Sequence, residues 1–273
     1  MADRIESWKS LLNRYNDFRG GQWCFRGDCC RPGGFKTSLE RAAVDRWGRE
    51  WPELPLIEEG LLRRFKREAH LYLANEPAEG DRIGWLALMR HHGAPTRLLD
   101  WTYSFFVAVY FAVQRAEPEL ASSVWAVDLG KIRDRAFQMD HLRPHLERDP
   151  NAKKKTTVDA IIRHTPPSQL VFPLNPWRMN RRLIVQQSVF LVPGDITRSF
   201  NDNLRAMGDP ESFMVEIPLS PDRAFLEEAT GELLSMNMTS ASLFPGLDGF
   251  AQNLTALIPF PHLRAVDTEM GQE

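Results

Sequence analysis

The segment that most constrains the fold is residues 104–114, which are apolar on almost every side of a helix. An amphipathic surface helix would place polar residues at every third or fourth position, whereas here the interior runs Phe-Phe-Val-Ala-Val-Tyr-Phe-Ala-Val. The length of the segment and its alanines favour a buried helix over a strand. We therefore expect a helix in the interior of the protein.

The rest of the chain divides into an early part rich in helical patterns and a later part rich in strand patterns. Helices are predicted at about 5–17, 37–50, 56–74, 82–91, 221–235 and 249–257, and strands at 22–26, 122–129, 169–174, 183–192 and 214–217. This order predicts an α+β fold, with helices mainly in the first half packed on a mixed or antiparallel sheet. We expect one domain over 1–266, with a motif-bearing core at about 22–250 and a disordered tail at 267–273.

The net charge, the apolar runs and the cysteines limit the classes of protein to which this chain can belong. The formal net charge of −2 argues against broad electrostatic binding of nucleic acid. No apolar signal segment begins the sequence and no run approaches the roughly 18 apolar residues of a membrane span, so we expect a cytoplasmic protein without membrane contact. The three cysteines, Cys24, Cys29 and Cys30, fit neither a disulfide framework nor a zinc site. Free thiols and no metal are predicted.

A dense polar segment at 90–102 lies between two apolar ones. Its directional groups are Arg90, His91, His92, Thr96, Arg97, Asp100, Trp101 and Thr102. If the turn there is helical, Arg97 and Asp100 share a face and form an ion pair, so we assign Thr96, Arg97, Asp100 and Trp101 to a structural polar cluster. His91 titrates near neutrality and is either a general acid–base or a hydrogen-bonded structural group.

A second polar cluster follows an apolar run at Trp23-Cys24-Phe25-Arg26-Gly27-Asp28. The planar fork of Arg26 could hold a phosphate or a carboxylate of a ligand, and Gly27 would let that ligand approach the backbone. In the alternative interpretation Arg26 is structural and pairs with Asp28 or Asp100.

These motifs resemble the FRG domain family of bacteria and phages. The resemblance rests on Phe25-Arg26-Gly27, on His91-x-Gly93-x-Pro95-Thr96-Arg97-Leu98-Leu99-Asp100-Trp101-Thr102 and on Ala108-x-Tyr110-Phe111-Ala112. Later stretches that resemble the family are Gln186-Gln187-x-x-Phe190 and Leu243-Phe244-Pro245-x-Leu247-Asp248-Gly249. Together the motifs run from about 22 to 250, and they imply a domain of that size.

A more distant likeness links Phe25-Arg26-Gly27-Asp28 to the arginine–serine–glutamate class of ADP-ribosyltransferases. It implies NAD as substrate, with Arg26 at the pyrophosphate, Ser104 near the nicotinamide and Gln187 as a catalytic candidate. With the residues singled out above, the cofactor-binding candidates are Arg26, Gly27 and Ser104, and the catalytic candidates are His91 and Gln187. The sequence departs from that class because glutamines occupy the place of the late-strand glutamate. A glutamine cannot supply the negative charge that stabilises a ribosyl cation, although Glu216 on the next strand could.

Two hypotheses follow for function. The leading one is a polar pocket for NAD or another phosphate-bearing ligand, extending to ADP-ribosyl transfer or NAD cleavage in a bacterial or phage conflict as a defence protein or toxin. The alternative is a non-catalytic module of a phage-defence or toxin–antitoxin-like system that contacts a protein or a nucleic acid.

Overall fold

The computed structural model describes residues 4–29, 34–114, 116, 122–140, 161–163, 165–177 and 179–260. Its α-helices are α1 (Trp8–Asn16), α2 (Ser38–Glu40), α3 (Leu54–Ala69), α4 (Arg82–His91), α5 (Phe105–Val113), α6 (Leu129–Phe137), α7 (Arg181–Val185), α8 (Phe200–Ala206), α9 (Arg223–Ser235), α10 (Ser240–Leu243) and α11 (Leu247–Ala256). Arg41–Arg46 forms a π-helix, and Trp51–Glu53 and Pro210–Ser212 form 3-10 turns. The strands are β1 (Trp23–Cys29), β2 (Leu99–Thr102), β3 (Ser122–Asp128), β4 (Val171–Leu174), β5 (Ser188–Pro193) and β6 (Met214–Leu219).

The six strands form one antiparallel sheet in the order β4-β5-β2-β1-β3-β6. The predicted α+β class is therefore confirmed, and the sheet is of the antiparallel kind. The central strands are paired unequally. All seven residues of β1 pair with β3, whereas β1 and β2 share one paired position, Phe25 opposite Thr102. Beyond that pair the two strands separate, and this gap positions the candidate site.

Helix α5 is buried against the face of the sheet that carries Phe25, Val124 and Ala126, as its all-apolar sequence predicts. It lies so close to β1 that a Cβ atom built on Gly27 would sit 1.9 Å from the carbonyl oxygen of Ala108. Gly27 thus allows a helix backbone to approach the strand. Gly27 also lines the cleft described below, and the approach of a ligand there stays a prediction. The other face of the sheet packs on α6 and α8.

The structure corrects the predicted strand at 183–192. Residues 181–185 form helix α7, because the Asn180 side chain accepts a hydrogen bond from the Leu183 amide at 2.9 Å and caps the helix. Gln187 follows with φ +46°, in the left-handed region, and the strand begins only at Ser188. Gln186 and Gln187 therefore precede the strand on which they were predicted to lie.

A second correction concerns residues 97–100, for which a helical turn was considered. Asp100 lies in strand β2, paired with Phe190 of β5, and Arg97 precedes the strand. The two side chains consequently have different partners. The tail at 267–273 and Cys30 lie outside the described residues.

Candidate functional site

A cleft of about 370 Å³ opens where β1 and β2 separate. We call it the arginine cleft, because four arginines line it together with two aspartates. Its walls come from β1, β2, the end of α4, α5, α7 and the residue after α10. The lining includes Arg26, Arg41, Arg90 and Arg182, the carboxylates Asp28 and Asp100, and His91, Trp101, Gln186, Phe111 and Phe244.

Arg26 spans the gap between the two strands. Its Nη1 donates a hydrogen bond of 2.7 Å to the backbone carbonyl oxygen of Asp100, and its Nε lies 3.7 Å from the carboxylate of Asp28. The guanidinium thus occupies the place where a strand-to-strand hydrogen bond would otherwise form. Both aspartates that the sequence offered as structural partners are in contact with Arg26, one of them through its backbone.

Asp100 also forms an ion pair with a second arginine, Arg90. Its carboxylate accepts hydrogen bonds from the Nε of Arg90, at 2.9 Å, and from Nη2 of the same side chain. Arg90 is the penultimate residue of α4, so this ion pair ties the end of the helix to the middle of β2. Asp100 is therefore part of the wall of the cleft and positions the charges beside it.

Arg182 has a different environment from the other arginines. Its guanidinium lies 4.5 Å from the ring centroid of Phe244, and among the described residues it has no hydrogen-bond or ion-pair partner. Burial lowers the pKa of Arg182, Asp100 opposes that shift, and the charge of Arg90 adds to it. The guanidinium is thus partly buried, and the nearby Asp100, which pairs with Arg90, does not offset that burial.

His91 lies at the C-terminal end of α4 and is half-buried in the cleft wall. Burial lowers its pKa from the usual value, and the charges of His92 and Arg182 lower it further. The imidazole is consequently neutral at pH 7 and can accept a proton. The catalytic role predicted from the sequence stays a prediction.

Trp101 brings an unsatisfied donor to the same region. The side chain is 3% exposed, and its Nε1 has no hydrogen-bond partner among the described residues. A buried indole N–H normally finds an acceptor, but this atom lies in the core, where the ring packs against Phe35.

Two residues predicted for the site, Gln187 and Ser104, are placed differently from expectation. Gln187 is exposed and lies outside the described lining of the cleft, where Gln186 takes its place. Gln186 is buried, and its Nε2 donates to the carbonyl oxygen of Leu243 at 2.9 Å. Ser104 caps helix α5 by accepting from the Val107 amide at 3.3 Å and is also absent from the lining.

Arg97 pairs with Glu58, and the predicted pair with Asp100 is wrong. Glu58 is fully buried on α3 and accepts from the Arg97 Nε at 2.8 and 3.0 Å. Arg82 on α4 donates to the same carboxylate at 3.1 Å. Burial raises the pKa of Glu58, but the two guanidinium groups outweigh it and the net shift is downward. Glu58 thus joins α3, α4 and the start of β2 as an ionised group.

Two threonines of the polar segment also hold the backbone together. Thr96 is fully buried, its amide donates to the Ser38 hydroxyl at 3.0 Å, and its carbonyl oxygen accepts from the Leu39 amide. Thr102 donates from Oγ1 to the carbonyl oxygen of Gln186 at 2.7 Å. These bonds dock the segment onto α2 and α7, away from solvent.

Sequence reasoning missed Arg182, Phe244 and Gln186 as members of the cleft. Arg182 lay next to a stretch read as a strand, and the signal that could have placed it on a helix was the capping residue Asn180. Phe244 was noted only within a family-like motif.

The described part of the chain was considered for a metal site and for a membrane-spanning helix, and it contains neither. Within it, no three His, Cys, Asp or Glu side chains cluster as metal ligands would. No helix there has the length and apolar character needed to cross a membrane. Burial raises the pKa of the Cys24 thiol well above its usual value, so this free cysteine stays protonated in the core.

Comparison with known families identifies one segment of the chain. A model of the FRG domain matches residues 21–120, which include Arg26, Arg90, His91 and Asp100. Arg182 and Phe244 lie beyond the matched segment. Comparisons with curated proteins and with solved structures gave no significant match.

Proposed function

We propose that the arginine cleft, part of which lies in the segment matched by the FRG domain model at residues 21–120, binds a small molecule that carries phosphate groups. The observation that carries the proposal is Arg182, a partly desolvated guanidinium in the cleft wall with no carboxylate partner among the described residues. A desolvated charge without a counter-charge is unfavourable, and a phosphate would supply that charge. The planar fork of arginine matches two phosphate oxygens at once.

The balance of charge along the cleft supports an anionic ligand. Four arginines face two aspartates among the described lining residues, and His91 is neutral at pH 7 because its pKa is lowered. The volume of about 370 Å³ is within the roughly 300–1,000 Å³ usual for small-molecule sites.

Because the motif around Arg26 resembles that of the arginine–serine–glutamate class of ADP-ribosyltransferases, the specific ligand that we propose is NAD. Its pyrophosphate would bind the arginines. The rings of Phe111 and Phe244 are nearly perpendicular, with their centroids 6.0 Å apart. They offer an apolar surface for the nicotinamide or adenine ring of NAD.

Cleavage of bound NAD would require one further contribution from the protein. Water would displace nicotinamide from the ribose carbon, which yields ADP-ribose, nicotinamide and one proton, and neutral His91 could accept that proton. Glu216 does not line the cleft, and it accepts a hydrogen bond from Ser123 at 2.7 Å on the edge strand β6. The carboxylates in the described lining are Asp28 and Asp100, both beside arginines, so binding is better supported than cleavage.

The second candidate is a non-catalytic module that contacts a protein. It is favoured by the solvent-exposed apolar side chains of α11 and the turn after it, namely Leu247, Phe250, Leu254 and Ile258, which are 52–80% exposed. Loss of partner binding in Phe250→Ser, with the affinity for pyrophosphate unchanged, would support this candidate. A role in defence or as a toxin stays a prediction for either.

Calorimetric titration of the purified protein with inorganic pyrophosphate and with NAD tests the proposal. We expect Arg182→Ala to weaken binding by about tenfold or more, because a charge-assisted hydrogen bond contributes about 1.5–3 kcal/mol. Arg181→Ala is the matched control, since Arg181 is the exposed neighbour on α7 and lies outside the described lining, and it should leave affinity unchanged.

The proposal is wrong if the wild-type protein binds neither ligand, or if Arg181→Ala weakens binding as much as Arg182→Ala. Chromatographic detection of nicotinamide tests cleavage separately. His91→Asn should abolish its release while pyrophosphate still binds.

A further inference from the structure

A second cavity lies at the C-terminal end of α5, between α9 and α11. Its volume is about 540 Å³. Gln114, the residue after α5, lines both this cavity and the arginine cleft, but the four arginines of the cleft are absent from it. Nothing in the proposed function uses this space, which we call the apolar cavity.

The walls of the apolar cavity are mainly hydrocarbon. The apolar side chains that form them are Val113, Ala116, Leu226, Leu233, Leu234, Met238, Ala256 and Pro259. The charged residues among the described lining are Arg223 and Glu227, which form an ion pair with each other at 2.9 Å on the same helix. The described residues of the lining therefore carry no net charge.

Helix α11 leaves this space unfilled because it turns its smaller and more polar side toward α9. Gln252, Asn253 and Ala256 line the cavity, whereas Phe250 and Leu254 are 55% and 52% exposed to solvent. An amphipathic helix that packed for stability alone would place its large apolar residues inward.

One polar atom of the lining lacks a partner. The Oδ1 of Asn253 is buried and accepts no hydrogen bond from the described residues. The hydroxyl groups of Tyr110 and Ser240, by contrast, contact each other at 2.6 Å, and Gln114 donates to Ser240 at 3.2 Å. A buried acceptor without a donor is unfavourable, so a ligand that donates one hydrogen bond would satisfy it.

We propose that the apolar cavity is a second binding site, for an uncharged and mainly apolar small molecule that carries one hydrogen-bond donor. Its size, its hydrocarbon walls and a single unsatisfied polar atom are the features of small-molecule sites in proteins. The site differs chemically from the arginine cleft, because its ligand needs no phosphate, although Gln114 lines both spaces.

N-phenyl-1-naphthylamine is a suitable probe, since it is uncharged, has one N–H group and becomes fluorescent in apolar surroundings. We expect saturable fluorescence with the full chain, unaffected by inorganic pyrophosphate. Leu234→Trp should reduce affinity at least tenfold by filling the cavity, whereas Leu56→Trp, at an exposed position on α3, should leave it unchanged. Circular dichroism would verify that both variants are folded.

The hydrogen bond is tested with a matched pair of probes. Asn253→Leu should weaken binding of N-phenyl-1-naphthylamine about fivefold but leave the binding of 1-benzylnaphthalene, in which a methylene replaces the N–H, unchanged. The proposal is overturned if the wild-type chain gives no saturable signal. It is equally overturned if folded Leu234→Trp binds as well as wild type, because the probe would then lie on the exposed side of α11.

Discussion

Arg26 and Asp100 join two neighbouring strands that have almost no backbone pairing with each other. The Arg26 guanidinium donates to the Asp100 carbonyl oxygen at 2.7 Å, beside the single paired position of β1 and β2. Because a side chain replaces the backbone hydrogen bonds here, the strands can separate and still stay connected. Both residues of this contact between the strands also line the arginine cleft.

The carboxylate of Asp100 should oppose the binding of an anion. It pairs with Arg90 and partly offsets the charge at Arg182, so Asp100→Asn would leave both arginines available to a phosphate. We expect pyrophosphate to bind severalfold more tightly to this variant, as measured by calorimetry. Weaker binding would mean that Asp100 matters more for holding Arg90 in position than for its charge.

Glu58 should be among the most destabilising positions to neutralise. Glu58→Gln leaves the charges of Arg97 and Arg82 without their shared carboxylate in a buried place, and we expect a loss of about 3–5 kcal/mol in the free energy of unfolding. Urea denaturation measures it. The control is Glu59→Gln, whose side chain is 55% exposed and should cost less than about 1 kcal/mol. Equal losses would contradict this assignment.

Gly27 and Gly60 should respond to alanine in opposite ways. Gly27→Ala would force a Cβ atom against the backbone of α5, 1.9 Å from an oxygen, so the helix must shift and stability should fall by more than about 2 kcal/mol. Gly60 is inside α3 with nothing within 4 Å of its built Cβ, and Gly60→Ala should stabilise by about 0.5–1 kcal/mol. Thermal denaturation would measure the loss of stability in Gly27→Ala and the gain of stability in Gly60→Ala.

His91 should make the folded state less stable in mild acid. Its pKa is lowered by folding, so the unfolded chain takes up a proton first as the pH falls below the usual value of about 6.5. The melting temperature should therefore fall between pH 7.5 and pH 5.5, and less steeply in His91→Asn. Nuclear magnetic resonance should show the pKa of His91 rising in Arg182→Ala, because the charge of Arg182 contributes to lowering it. An unchanged pKa of His91 in that variant would show that the charge of Arg182 does not act on His91.

The sequence predicted the sheet class, the buried helix and the early half of the cleft, because these depend on local patterns. Residues 90–102 and Phe25-Arg26-Gly27 are contiguous motifs, and their polar density is visible without a structure. The partner of Arg97 was missed because Glu58 lies 39 residues earlier, and only tertiary packing brings the two together. Arg182 was missed for a local reason. β-branched and apolar residues at 183–192 favour a strand, but the cap at Asn180 and the left-handed turn at Gln187 divide the segment into a helix and a strand.

The arginine cleft takes its walls from residues as far apart in the chain as Arg26 and Phe244. During translation, Arg26, His91 and Asp100 leave the ribosome well before Arg182 and the ring on which its guanidinium lies. A nascent or prematurely terminated polypeptide that stops before residue 182 would carry the whole matched FRG segment. It would lack Arg182, the arginine of the cleft that lies on Phe244. Completion of the site is thus linked to synthesis of the chain past Phe244.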